Sequence, residues 1–364
     1  MSLDERWMRA ALGQARRAAG KTAENPNVGC VLVDAQGRLC AAGHTQASGR
    51  PHAEAAALQD VADPDKLAGG CAYVTLEPCA HIGQTPPCAS ALIKAGLSRV
   101  VYAVEDPDPR VAGRGHEMLA AAGLEVVSGV LADEAEAVMA GFLYRQRLGR
   151  PEIWVKIATS ADGYVAEKQG VQSWLTGPTA RRFVHDLRSR CDGLVSAIGT
   201  VLIDDPQLTI RLDGITHKLD RFILDSHARM AEHPALKIWQ SADQGKIHLV
   251  CASGQKTPLT HLPASAALMD IAADPSGGLS LSQLVQRLHS LSYNRVLVEA
   301  GPKLVRSFFE AGLVDKLFWL TSSHKLGGGV AGFPSLDFAG LDAYSRVHHS
   351  VLGEDMLSIW ERRD

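Results

Sequence analysis

The sequence predicts two α/β domains in tandem, on three observations. Short β-rich runs alternate with helical stretches, as in a layered α/β fold. A chain of 364 residues exceeds one ordinary core. After Arg150 and Pro151 a fresh series of β-rich runs begins.

From residue 4 to 19, Trp7, Met8, Ala11, Leu12 and Ala15 recur at helical spacing, and Gly20 stands where a glycine stops a helix. Residues 28–34, 71–77 and 98–106 read as strands, separated by helical stretches at 53–59 and 88–95. Residues 115–130 are patterned as helix then strand. The stretch 131–149 reads as a long helix, acidic in its first turn and basic in its last, as the helix dipole favours. It closes a first domain of residues 1–148. The second domain, 149–364, opens with the β-rich run 152–160. It continues through strands near 221–225, 246–251, 294–299 and 315–321, with a helix at 178–190. Residues 262–282, rich in Ala, Pro, Gly and Ser, read as loop. Residues 325–332 are Gly-rich, suited to approach a cofactor phosphate or to form a loop at a domain edge.

Hydrophobic residues make up 46% and charged residues 21% of the chain, as in folded globular domains. A net charge of -3 supplies no broad cationic footprint for nucleic acid, so a small-molecule substrate is expected and nucleic acid is not. The 7 cysteines are odd in number and scattered, unlike a secreted disulfide framework, and fit a reducing cytoplasm. The N-terminal residues lack the apolar core and cleavage site of a signal peptide. No apolar run approaches the roughly 20 residues needed to span a bilayer, so no membrane association is expected.

His52 and Glu54 stand in RPHAEAAAL, where a loop turns into a helix behind Pro51. Cys79 and Cys88 stand in LEPCAHIGQTPPCASALI, after a strand, with Cys88 opening a helix behind Pro86 and Pro87. One imidazole and two thiolates hold zinc tetrahedrally and leave a fourth position for water, whose pKa the metal lowers towards neutrality. Glu54 is suited to carry the water proton first to the ring nitrogen and then to the departing amine. An H-x-E or a pair of buried thiols alone is common; together, in this order, they point to a zinc-dependent deaminase of a small aminopyrimidine. Nucleic-acid deaminases place two residues between their cysteines. Here residues 80–87 intervene and are expected to line the pocket.

The segments NPNVGC, GHT, HAE, EPCAHIGQTPPC and EDPDPRVAGRG together resemble the riboflavin-biosynthesis deaminase–reductase family. The resemblance implies a cytidine-deaminase-like three-layer N-terminal domain. The implied substrate is 2,5-diamino-6-(5-phosphoribosylamino)pyrimidin-4-one, which loses its 2-amino group as ammonia. It implies Zn2+ held by His52, Cys79 and Cys88, Glu54 as proton shuttle, and Asn25, His44, His81 and Thr85 as groups that hold base or phosphate. Gln84 stands where a Lys is common in the family, and Asp108 where an Asn is common. A Lys gives phosphate a point charge that Gln lacks, so these departures touch phosphate binding rather than deamination.

KIATSADGYVA, SWLTGPTARRFVHDLRSRCDGLVSAIGTVLIDDPQLTIR and VLVEAGPKLVRSF are similar to the reductase half of the same family. That similarity implies a dihydrofolate-reductase-like α/β domain, doubly wound, with NADPH as cofactor. From its residues alone, VEAGPKLVRSF reads as a buried strand, a Gly-Pro turn and a helix N-terminus, a place that can hold phosphate. By resemblance, Ala158, Trp174, Thr200, Asp204, Ser226 and the turn Gly301, Pro302, Lys303, Leu304, Val305, Arg306 and Ser307 contact NADPH. Likewise Gln172, Arg188, Leu208, Arg211 and Glu299 face the phosphoribosylaminouracil, with Lys156 assisting at the substrate. Arg188 and Arg211 are suited to a substrate phosphate through bidentate hydrogen bonds. The implied reaction transfers hydride from NADPH to the sugar C1′ and opens ribose to a ribityl chain. The proton donor stays open, and Asp204 and Glu299 are equally binding or structural groups.

Three other functions fit parts of the pattern. A deaminase with an inactive reductase-like scaffold would release ammonia without consuming NADPH. A nucleic-acid-editing deaminate would share the H-x-E element, against the charge balance and the long cysteine spacing. A structural zinc module would need a fourth protein ligand from His44, His81, Cys71 or another nearby residue. A homo-oligomer is also left open.

Overall fold

The computed structural model describes residues 1–81, 86–108, 112–254, 262–263, 266–274, 277–333 and 339–363. They fall into two units, Met1–Arg150 and Pro151–Asp364. In the first, helix α1 (Leu3–Ala18) starts at Ser2, whose hydroxyl accepts the Glu5 N–H while the Glu5 carboxylate accepts the Ser2 N–H. Its buried stripe of Met8, Ala11, Leu12 and Ala15 faces the sheet. There follow β1 (Gly29–Val33), β2 (Leu39–His44), α2 (Ala53–Gln59), β3 (Cys71–Leu76), α3 (Cys88–Lys94), β4 (Arg99–Val104), α4 (Arg114–Ala121), β5 (Glu125–Ser128) and α5 (Ala132–Leu148). The sheet order is β2-β1-β3-β4-β5, with β1 antiparallel to both neighbours and β3, β4 and β5 parallel.

Successive strand residues point to opposite faces. Gly29 backs onto Ala11 of α1, while Gly43, paired with Cys30, backs onto Ala53 and Ala57 of α2. Helix α5 joins α1, where the buried Asn27 amide donates to both Ala15 O and Val138 O. Helices α2, α3 and α4 pack in a row on the other face. The unit is therefore three-layered. Strand β2 carries no sequence signal, because its LCAAGH lacks β-branched and aromatic residues.

The second unit runs β6 (Glu152–Thr159), β7 (Tyr164–Ala166), α6 (Pro178–Ser189), β8 (Gly193–Ala197), α7 (Ile198–Asp204), β9 (Asp220–Leu224), α8 (Lys237–Gln240), β10 (Ile247–Ala252) and β11 (Ala266–Ile271). It continues with α9 (Leu281–Ser290), β12 (Arg295–Glu299), α10 (Pro302–Glu310), β13 (Lys316–Thr321), β14 (Val330–Ala331), β15 (Tyr344–Leu352) and β16 (Asp355–Arg362). The main sheet has the order β11-β10-β9-β8-β12-β6-β13-β16-β15, parallel from β11 to β13 and closed by the antiparallel pair β16 and β15. Both faces are covered, as a parallel sheet requires. Ile153 and Val155 pack with Leu284, Leu288 and Phe308 from α9 and α10. Trp154 packs with Val184, Leu187 and Ile238 from α6 and α8. The stretch 262–282, expected as loop, instead carries β11 and the start of α9. AALMDI has a single β-branched residue, and pairing with β10 holds it in the sheet.

Candidate metal centre and reductase cleft

In the first unit, three side chains on two helix N-termini and one strand end meet. His52 is the N-cap of α2, preceded by a cis Arg50–Pro51 bond. Cys79 follows β3, and Cys88 opens α3. Cys79 Sγ lies 3.7 Å and Cys88 Sγ 3.5 Å from His52 Nδ1, and all three donor atoms lie within 4.8 Å of one another. Tetrahedral zinc with these donors sets neighbouring ligands about 3.5–3.8 Å apart, so the set fits the ion. The Cys79 sulfur also accepts the Cys88 backbone N–H at 3.4 Å. Hydrogen bonds from the Cys88 thiol and the His52 ring draw the Cys79 thiol down to about 4, against burial, while the Cys88 thiol is pushed up. Glu54, 4% exposed in the first turn of α2, is pushed up to about 7 by burial and by Cys79.

Asn25 lies against Gly49, at φ +87, where a Cβ would come within 1.9 Å of its amide nitrogen. It therefore abuts the segment that leads into His52. His44 ends β2, half-buried, its imidazolium disfavoured by burial and by Arg17 and Lys21. His81 is exposed. Thr85 and Gln84 lie outside the described residues. Cys71 starts β3 while Cys79 follows its end, about 16 Å of strand away, so it is no fourth ligand.

In the second unit a cleft of about 1980 Å³ opens at the carboxyl ends of β6, β8, β9 and β12, where ligands of open α/β sheets bind. Its floor is charged. The Arg188 fork donates to Glu299, Nε to Oε1 at 2.6 Å and Nη2 to Oε2 at 2.9 Å, and Nη1 donates to Thr209 O at 2.9 Å. Burial opposes ionisation of Glu299, but Arg188 holds its carboxylate below the usual range. Burial pushes the Lys156 ammonium down and the Asp204 carboxyl up. At the rim, Gly301 N donates to Thr200 Oγ1 at 3.3 Å at the start of α10, whose N-terminus opens on the cleft. Trp174 is 72% exposed, with the Arg181 guanidinium 5.5 Å from its ring.

Residues 151–358 match the RibD C-terminal domain, and residues 1–104 match the cytidine and deoxycytidylate deaminase zinc-binding region. The riboflavin biosynthesis protein RibD of Escherichia coli (strain K12) is 39% identical over 345 residues, 92% of this chain and 91% of its own. This chain belongs to the RibD family. The RibD of Aquifex aeolicus (strain VF5) is 31% identical over 99% of each chain. Acinetobacter baumannii RibD superposes with a TM-score of 0.85 at 31% identity, over 100% of this chain and 99% of that one. A deaminase/reductase from Thermotoga maritima does so at 0.86 and 27% identity, over 99% of each chain. As a RibD, the chain joins a deaminase domain to a reductase domain, acts in riboflavin biosynthesis on small molecules, and takes Zn2+ and NADPH. Among the described residues no helix is long and apolar enough to cross a membrane.

Of the residues expected in the RibD reductase site, Lys156, Ala158, Gln172, Trp174, Arg188, Thr200, Asp204, Leu208, Arg211, Ser226 and Glu299 all line the cleft, as do Gly301, Pro302, Lys303, Leu304 and Ser307. Val305 and Arg306 do not. The helical turn of α10 carries Val305 into the core and sets Arg306 over the Phe333 ring at 4.2 Å. Arg188 lines the cleft with its fork on Glu299. Arg211, exposed, donates from Nη1 to Gln207 Oε1 and Thr209 Oγ1. The Gly-rich 325–332 segment packs beside β7, where a Cβ on Gly329 would meet Ala166 O at 2.2 Å. Asp162 fixes it by accepting the N–H groups of Leu326 at 3.0 Å and Gly327 at 2.7 Å. His185 lines the cleft without having been singled out from sequence. The available signal is the α6 stripe Arg181, Val184, His185 and Arg188, at i, i+3, i+4 and i+7.

Proposed function

We propose that residues 1–148 deaminate 2,5-diamino-6-(5-phosphoribosylamino)pyrimidin-4(3H)-one and that residues 149–364 reduce the product, 5-amino-6-(5-phosphoribosylamino)uracil, to its ribityl form. The Thermotoga maritima relative is described as a diaminohydroxyphosphoribosylaminopyrimidine deaminase/5-amino-6-(5-phosphoribosylamino)uracil reductase. The observation that carries the reading is the buried Glu54 carboxyl beside the His52, Cys79 and Cys88 donors. Zinc held there supplies the Lewis acidity that makes water nucleophilic at neutral pH. Glu54 takes one water proton and gives it to the ring nitrogen, then takes the remaining proton of the added hydroxyl and delivers it to the amine, which leaves as ammonia as the carbonyl forms. Asn25, His44, His81 and Thr85 are the groups proposed to hold base or phosphate.

In the second domain NADPH supplies hydride for the ribosyl C1′. The N-terminus of α10 and the exposed Lys303 in its first turn hold its phosphates, and Trp174 and Ser226 border it. The Arg188–Glu299 pair orients the floor of the site, and Arg211 is the guanidinium presented to the substrate phosphate. Both reactions are assigned to the cytoplasm. A coupled assay with purified diaminopyrimidine, zinc and NADPH, following ammonia and NADPH together, tests the proposal. Ammonia release followed by equimolar NADPH oxidation is expected. Ammonia release with no NADPH turnover on the deaminated product overturns the bifunctional assignment.

A further inference from the structure

Glu77 belongs to the EPC segment, directly after the end of β3. Its carboxylate is 3% exposed and accepts four backbone N–H groups: Gly115 at 2.8 Å and His116 at 3.1 Å on Oε1, Gly113 at 3.0 Å and Asp106 at 3.3 Å on Oε2. Its own N–H donates to Val104 O at 2.8 Å, so it continues the β3·β4 pairing by one residue. Cys79 follows two residues later.

Helix α4 has Gly113, at φ 74, as its N-cap and no side-chain cap of its own. The helix start is capped instead by a carboxylate 36 to 39 residues upstream, beside a metal-ligand position. The fit is close on the backbone side as well. A Cβ on Gly115 would lie 2.0 Å from Pro78 O, so α4 approaches the Pro78 carbonyl as only glycine permits. Helix α4 in turn packs on α3, which carries Cys88, with the Ser90 hydroxyl donating to Met118 Sδ at 3.5 Å.

We infer that Glu77 is a positioning residue for the metal centre, clamping the Pro78–Cys79 turn to the N-terminus of α4 and so setting the Cys79 sulfur opposite His52 and Cys88. This rests on those three residues being the metal ligands. Groups that orient ligands without touching the ion are worth about 10- to 100-fold in metal affinity. A glutamine at 77 keeps the volume but turns an NH2 towards two of the four N–H donors, so the clamp loses half its acceptors.

The test is Glu77→Gln in the full chain. Zinc affinity is read by chelator competition, and the Co2+-substituted protein by its thiolate-to-cobalt absorption. We expect zinc to bind about 10- to 100-fold more weakly, the cobalt band to shift, and NADPH oxidation on the deaminated substrate to be unchanged. Wild-type affinity and an unshifted band overturn the inference even if thermal stability falls, because a cap that only holds the fold moves neither. Should Glu77→Gln not fold, Gly115→Ala tests the same clamp by displacing Pro78 with the carboxylate chemically intact. The same metal loss is expected, and wild-type zinc binding overturns the clamp. His52→Ala separates the underlying ligand assignment: zinc bound undiminished in that variant refutes the metal centre itself, whatever Glu77 does.

Discussion

Glu54 is buried in the first turn of a short helix, and burial together with Cys79 pushes its carboxyl up to about 7. Glu54→Gln removes the carrier without removing a metal donor. Zinc content by elemental analysis should be unchanged while ammonia release falls by at least about 10²-fold. Substantial residual release would refute the role. His185 makes the second prediction. Burial, Arg188 and Arg211 hold its pKa down to about 4, below the ordinary 6.5. Between those values the unfolded chain binds a proton that the folded chain does not, so stability is lost as pH falls through that window. His185→Gln should flatten the fall in urea midpoint between about pH 6.5 and 4.5, and an unchanged slope would show that His185 is not the group responsible. At this scale the metal donors were legible, because the ligand chemistry is written in H-x-E and two cysteines. The Arg188–Glu299 fork was not, since its partners are 111 residues apart and neither carries a local sign of the other.

Helix α10 shows what an element adds to a motif. Its run Gly301 to Ser307 reads from sequence as one phosphate-binding turn, but a helix turns about 100° per residue and cannot present seven consecutive side chains to one ligand. Lys303 and Ser307, four apart, border the cleft, while Val305 packs among Ile153, Val298 and Phe308. Lys303→Ala is expected to weaken NADPH binding about tenfold, as measured by the cofactor's fluorescence, with unfolding unchanged. Val305→Ala should do the reverse, costing about 2 kcal/mol in urea unfolding with NADPH affinity intact. If both variants affect the same observable, the division of faces is wrong. Strands β2 and β11 stayed silent because short runs of Ala, Leu and Met carry no strand preference. Their neighbours β1 and β10 hold them in the sheets.

Each of the two units has its own core, so the two chemistries should separate. Removing metal with a chelator is expected to stop ammonia release while NADPH oxidation on added deaminated substrate continues. Equal loss of both would tie the reductase to the metal. By itself the sequence determined the two-domain α/β plan, the meeting of His52, Cys79 and Cys88 with Glu54 beside them, and the strand–turn–helix at Gly301. These follow from spacing within a few residues and from short motifs whose chemistry is local. Tertiary structure alone decided that Arg188 pairs with Glu299, that Val305 turns into the core and Arg306 onto the Phe333 ring, and that the segment at 262–282 adds a strand to the sheet edge. It also placed the Glu77 carboxylate at the start of α4. Each of these is a contact between segments distant in sequence, made when packing brings a buried charge, an open sheet edge or an uncapped helix to the one partner able to satisfy it.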